Sequence, residues 1–314
     1  MRTKLLLIGL LIQSCLIGQI KDWETLDSLL EIGYNEFRSE NIDNAQIIFD
    51  SIISLDSSYY RAYDGKAQMC MYDENYDNGL IEINKALALK PDYDDGITTR
   101  GELFLRKGDF TKAYREFKMA LAINPKNTQA ISDIGVIYFY EGKKKKANRK
   151  FKEALDLDPQ NDCVYYNIGT INIYRRKYKN AIKNFDKALE LNPTYNLNKI
   201  YTNRGTAKYY LSDYTGAISD YAKSMELKPN NSTLVMNVGM IYFKQYDYKL
   251  AIYYFNKALQ IDPKKEAAYY NRGLAYYRIE SFNNALHDFN KACDLGQKDA
   301  CYMINDTKQR IYNN

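Results

Sequence analysis

An all-α solenoid of about eight helix hairpins is the fold this chain predicts, and three observations predict it. All six prolines fall on one lattice, Pro91, Pro125, Pro159, Pro193, Pro229 and Pro263, at spacings of 34, 34, 34, 36 and 34 residues. Upstream of each proline other residues hold fixed offsets: a Gly, an Ala twelve later, an aromatic four later, a small residue three later and the Pro five later. Apolar residues within a unit recur at three and four positions, as in Ala113, Phe117, Ala120 and Leu121, which is the period of an amphipathic helix. Internal repetition overrides the two globular domains that 314 residues would otherwise suggest.

The first element, residues 1–19, reads as an export signal. Arg2 and Lys4 precede the apolar run Leu5 to Ile12, and after Gln13, Ser14 and Cys15 the apolar character resumes at Leu16 and Ile17 before Gly18 and Gln19. The run is shorter than the roughly 20 apolar residues a spanning helix needs. Cleavage after Gly18 or Gln19 is one expectation. The other is that Ile12-Gln13-Ser14-Cys15, which resembles a bacterial lipoprotein box apart from Gln13, is acylated at Cys15. Either way the mature protein is expected in a periplasm or cell envelope, and in the second case as an outer-membrane lipoprotein.

The repeats follow, over residues 20–297. The first unit is Gly33, Ala45, Phe49, Ile52 and Ser57, and the second is Ala67, Gly79, Ile83, Ala86 and Pro91. Gly101, Ala113, Phe117, Ala120 and Pro125 form the third, and Gly135, Ala147, Phe151, Ala154 and Pro159 the fourth. Gly169, Ala181, Phe185, Ala188 and Pro193 continue it, then Gly205, Ala217, Tyr221, Ser224 and Pro229. The last two are Gly239, Ala251, Phe255, Ala258 and Pro263, and Gly273, Ala285, Phe289, Ala292 and Gln297. Turn residues such as Lys107-Gly108-Asp109, Glu141-Gly142-Lys143 and Leu211-Ser212-Asp213 divide each unit into two antiparallel helices. Proline lacks a donor and ends the second helix, while Asn127, Asn161 and Asn231 beyond it can cap the next first helix. Gly in the first helix and Ala in the second let the backbones approach, and the aromatic fills the space beside them. Residues 298–314, with Cys301, Met303 and Ile304 but no repeat glycine, read as a capping helix.

This period and residue order, with strings such as Asn271-Arg272-Gly273-Leu274-Ala275-Tyr276-Tyr277, resemble the tetratricopeptide repeat family. The resemblance implies a right-handed superhelix that binds a protein or peptide along the concave face of its first helices. Tyr63, Tyr165, Tyr201 and Tyr269 stand where the family usually carries Trp, and two extra residues around Asn196 to Lys199 lengthen one turn.

By the same resemblance the candidate groove residues are Asn167, Asn203, Asn237 and Asn271, two before the glycine, and Tyr140, Tyr174, Tyr210 and Arg278, five after it. An amide donates and accepts at once, which suits an extended peptide, and Tyr adds rigid contact area. A lipid-anchored structural subunit of an envelope complex and a carbohydrate binder using the tyrosines are the competing readings. Enzymatic chemistry is not expected: the single histidine, His287, has neither nucleophile nor second ligand nearby in the sequence, and no metal site, cofactor site or phosphate loop is evident. A net charge of +5, or +3 without Arg2 and Lys4, is too small for a nucleic-acid binder. Lys143 to Lys146 reads as a solvated turn. Cys70 and Cys163 read as packing residues, whereas Cys293 and Cys301 flank the turn before the cap, where an oxidising compartment permits a bridge. Membrane contact is expected only through a lipid at Cys15.

Overall fold

The computed structural model describes residues 23–39, 41–191 and 197–313. Residues 1–19, expected to be an export signal and including Cys15, lie outside them, as does Pro193. Among the described residues the chain forms seventeen helices and no strand. In chain order they are α1 (Trp23–Arg38), α2 (Ile42–Leu55), α3 (Tyr60–Tyr72), α4 (Tyr76–Leu89), α5 (Asp94–Arg106), α6 (Phe110–Ile123), α7 (Thr128–Tyr140), α8 (Lys144–Leu157) and α9 (Asp162–Tyr174). They continue with α10 (Tyr178–Glu190), α11 (Leu197–Tyr210), α12 (Tyr214–Leu227), α13 (Ser232–Lys244), α14 (Tyr248–Ile261), α15 (Glu266–Arg278), α16 (Phe282–Asp294) and α17 (Lys298–Asn313). The helix boundaries fall at the turn and proline positions that the repeat predicts.

The chain divides into two compact units, residues 1–171 with 190–195 and residues 172–189 with 196–314. In the first, α1/α2, α3/α4, α5/α6 and α7/α8 pair as hairpins, and α1, α3, α5 and α7 also touch one another in succession. Their first helices therefore share one side. In the second, α11/α12, α13/α14 and α15/α16 pair, α14 packs on α15, and α17 packs on α16.

Among the described residues, the hairpin turns share one local device. The residue seven after the repeat glycine takes a left-handed conformation: Gly108 and Gly142 at φ 79° and 75°, but also Ser212, Tyr246 and Glu280 at φ 62°, 65° and 60°. At Gly108 the two backbone bonds of a Schellman motif form, Asp109 N to Phe104 O at 2.9 Å and Gly108 N to Leu105 O at 3.0 Å. The next residue then caps the second helix, with Asp109, Asp213 and Asp247 accepting from Lys112, Gly216 and Leu250 backbone N–H groups at 3.0 Å each. After the prolines, Asn127, Asn161 and Asn231 accept from the N–H groups of Ala130, Val164 and Leu234 at 2.9, 3.1 and 3.2 Å and so start α7, α9 and α13.

Helix-to-helix spacing inside a hairpin is set by a ring lying on a glycine. A Cβ added at Gly101 would come within 2.5 Å of Phe117, and at Gly135, Gly205, Gly239 and Gly273 within 2.9, 2.9, 2.7 and 2.8 Å of Phe151, Tyr221, Phe255 and Phe289. The second repeat is the exception: Ala67 replaces the glycine and Ile83 the ring, and both are fully buried in one core.

A half-buried cation joins the two helices of a hairpin, ties it to the preceding hairpin, or does both. The residue before the glycine is cationic in four repeats, and its partner lies sixteen residues from it on a second helix. Arg272 donates from Nε and Nη2 to both oxygens of Asp288 at 2.7 Å, and from Nη1 to Asn256 of the preceding second helix at 2.5 Å. Arg204 holds Asp220 at 2.9 and 2.6 Å and Asp186 at 2.6 Å in the same way. Arg100 bridges Glu116 and Asn84, and Lys66 pairs with Asp50. Tyr201 and Tyr269, in the slot usual for Trp, lie under these guanidinium groups with ring centroids 5.5 and 5.3 Å away.

Candidate binding face

The predicted groove residues are differently engaged. Asn167 donates to Ser132 Oγ and Asp133 Oδ1 at 3.1 and 3.3 Å, so its amide already ties α9 to α7. Asn237 hydrogen-bonds the Tyr221 hydroxyl, whose pKa burial pushes up to about 12. Asn203 and Asn271 are half-buried on α11 and α15, and Asn203 has a contact of its own. The tyrosines are more open: Tyr140, Tyr174 and Tyr210 are 50, 63 and 56% exposed. Tyr140 stacks on Phe110 with centroids 5.3 Å apart, and Tyr210 on Tyr178 at 4.7 Å. Arg278 is exposed at the end of α15. Each of these four last-turn residues is thus presented at the same point of its hairpin.

Elsewhere, His287 is exposed on α16, and Lys143 to Lys146 are exposed around the α7–α8 turn, where Lys143 pairs with Glu141 at 2.8 Å. Cys293 on α16 and Cys301 on α17 are joined by a disulfide, with Cα atoms 5.0 Å apart. Cys70 and Cys163 are free and half-buried.

The first unit carries a feature that residue types alone did not reveal. Four carboxyl groups from three neighbouring first helices come together: Asp64 on α3, Asp95 and Glu102 on α5, and Asp133 on α7. Asp64 and Asp133 are only 2 and 3% exposed. Gln68 and the Tyr93 hydroxyl donate to Asp64 Oδ2 at 3.2 and 2.9 Å, and Gln129 donates to Asp133 Oδ2 at 3.0 Å. Glu102 and Asp133 share a hydrogen bond, which two carboxyl groups can form only with a proton between them. Desolvation is the main reason that all four pKa values lie above the usual carboxylate range. Asp133 rises to about 6 against the opposing pull of Gln129 and Arg106. Asp95, though its surface is largely open, also rises to about 6, with Asp94 and Asp64 adding to desolvation and Arg61 opposing. Glu102 is raised by desolvation and then by Asp133, with Arg106 opposing, and Asp64 by desolvation. The half-buried Cys163 thiol on α9 is raised too, by desolvation and then by Asp162, Glu102 and Asp133.

Asp133 occupies the slot, two before the glycine, that holds Asn in the later repeats, so the lattice alone could have flagged it. Glu102, Asp95 and Asp64 sit at three other offsets, and no periodic signal links them.

These shifts fix how stability responds to pH. The folded protein holds protons that the unfolded chain releases near pH 4, so stability is fully present below that and is lost as pH rises through the folded value of about 6. Asp133→Asn removes one of these ionisations while keeping an acceptor for Gln129 and Asn167. Thermal melts at pH 4.5 and 7.5 should show wild type losing stability with rising pH and the variant losing less. A wild-type melting temperature that climbs over this interval contradicts the assignment.

Three comparisons bear on the family. Tetratricopeptide repeat models match residues 163–195, 199–231 and 266–299, and a TPR repeat model matches residues 239–280. No curated protein matches the chain. Among solved structures it is similar to a chain of the APC/C hetero-tetramer Cut9–Hcn1, with a TM-score of 0.62 and 16% identity, over 80% of this chain and 48% of that one. It therefore spans about half the length of that neighbour. It is also similar to PilF of Pseudomonas aeruginosa, with a TM-score of 0.57 and 19% identity over 65% of this chain and 91% of that one. PilW, a type IV pilus biogenesis factor, gives a TM-score of 0.57 and 19% identity over 63% and 91%. At these identities the likeness is one of fold. With the proline lattice, the ring-on-glycine hairpins and the matched repeat models in agreement, the chain belongs to the tetratricopeptide repeat family.

Proposed function

We propose that this chain is an exported scaffold that binds a protein or peptide segment along the face of its first helices. Repeat scaffolds of this family are suited to protein interaction, and the observation that carries the reading here is the row of last-turn side chains. In the second unit Tyr174 and Tyr210 offer large, rigid, half-open rings at one register of two repeats, and the amides of Asn203 and Asn271 are half-buried on first helices of the same unit. A ring with a polar tip gains contact area at little entropic cost, which is what a peptide groove needs. Crosslinking in the native envelope with wild type and with Tyr174→Ser/Tyr210→Ser is the test. The substitutions touch open side chains, so the fold should survive and capture of partners should fall several-fold. Undiminished capture by the double variant counts against the groove.

Export rests on Arg2, Lys4 and the Leu5 to Ile12 run, and the string ending in Cys15 favours a second reading, a lipid-anchored subunit of an envelope complex. Mass spectrometry of the mature N-terminus separates them: a start near Ile20 supports the soluble scaffold, an acylated Cys15 supports the anchored subunit, and a chain retaining Met1 removes both.

A further inference from the structure

We propose that the Cys293–Cys301 disulfide is a redox latch on α17: oxidised, it holds the capping helix over the last hairpin, and reduced, it lets that helix leave. The inference is independent of what the groove binds. The bridge spans the joint between α16 and α17, with Cα atoms 5.0 Å apart, and it stands where the earlier units carry only packing. The position after the small residue of the second helix holds Leu87, Leu121, Leu155, Leu189 and Leu259 in five earlier units, and only the last unit places a cysteine there. At the preceding joint Leu259 is buried with Ala268, and Tyr269 packs against them. Cysteine is shorter than leucine, so the joint to α17 gives up apolar contact and relies on a bond instead.

The remaining hold on α17 is slight. α15 packs between α14 and α16, whereas α17 packs on α16 and, among the described residues, has no hairpin partner of its own. Of its sixteen residues only Ala300 and Thr307 are buried. Met303 and Ile304 add partial cover to a cluster built on Phe289 and Ala292. The Tyr277 hydroxyl on α15 donates to Asp306 Oδ2 at 2.5 Å, but that bond is open to water. A helix with so few buried contacts opens locally at low cost, so a covalent tie decides its position. The tie can also be reached, since Cys301 is exposed and Cys293 half-buried. A dithiol reductant supplies the chemistry. Its thiolate attacks Cys301 Sγ and expels the Cys293 thiolate, which takes up a proton; its second thiol then closes on its own sulfur and releases Cys301 as a thiol. The protein gains two electrons and two protons, and the dithiol leaves as a disulfide. Leu295, Gly296 and Gln297 still tether the freed helix, so oxidation can close the latch again. Redox state thus sets whether the Phe289 and Ala292 cluster is covered.

Hydrogen–deuterium exchange of the full chain, purified without reductant, tests this. Peptide mapping after alkylation should first find Cys293 and Cys301 joined and unlabelled. Dithiothreitol should then speed exchange across residues 298–313 at least about tenfold, leave residues 232–278 within about twofold, and lose its effect once it is removed and the bridge re-forms. Cys293→Ser/Cys301→Ser should exchange like reduced wild type from the outset and ignore dithiothreitol. Should that variant misfold, the two states of wild type decide alone. Labelled cysteines in the unreduced chain, equal protection of residues 298–313 in both states, or a rise that spreads equally through residues 232–278 overturns the proposal.

Discussion

Arg272→Met is expected to destabilise the last repeats by about 3–5 kcal/mol, the range measured when one partner of a buried ion pair is removed. Asp288 is 1% exposed, and Arg272 supplies both of its short contacts. Without the guanidinium that carboxylate stays in an apolar joint with nothing to balance it, and the tie to Asn256 on the preceding hairpin is lost as well. The cost therefore comes mainly from the stranded charge and less from the missing attraction. A second variant separates the two, since Arg272→Met/Asp288→Leu should regain most of the loss by replacing the whole pair with apolar contact. Urea unfolding of both variants reads the difference. A single variant that melts like wild type would mean that Asp288 finds water or another donor.

The other large effect is expected at the ring-on-glycine joint. Phe151→Ala should cost about 3–5 kcal/mol, because a 4%-exposed ring in the core of α7, α8 and α9 leaves a cavity that its neighbours cannot collapse into. The joint can also be broken from the other side. A Cβ at Gly135 would already stand 2.9 Å from the Phe151 ring, so Gly135→Leu should cost at least the ~1–3 kcal/mol typical of overpacking. Urea midpoints measured on both variants check the pair, and neutrality of both would dismiss the packing account.

The hairpins were legible because their causes are local or periodic. A proline ends a helix wherever it falls, Asn127, Asn161 and Asn231 cap by reaching three residues onward, and Gly108 and Gly142 mark their own turns. The same turns at Ser212, Tyr246 and Glu280 carry no such mark, because packing of the flanking helices holds a side chain in a conformation it would not choose, at roughly 1 kcal/mol or more each. The ion pairs were readable in principle from a cation before the glycine and an acid sixteen residues later. They escaped notice because charged residues are common on helix surfaces, and only burial separates Asp220 and Asp288 from the rest. The acidic cluster was least legible. Asp64, Asp95, Glu102 and Asp133 occupy four different offsets, and they meet only because α3, α5 and α7 stand side by side. The amide row was visible in the sequence, but not that Asn167 would already serve Ser132 and Asp133.

Ala67 opposite Ile83 shows how copies inside one chain can diverge without losing their geometry. A methyl appears on the first helix where a ring disappears from the second, and the hairpin closes at full burial all the same. Tolerance at this joint is thus a property of two positions taken together: the methyl alone would press into a ring, and the smaller side chain alone would leave a gap. The currency of divergence among these hairpins is the matched couple, which is why one of them can discard both hallmark residues and still stack in register with its neighbours.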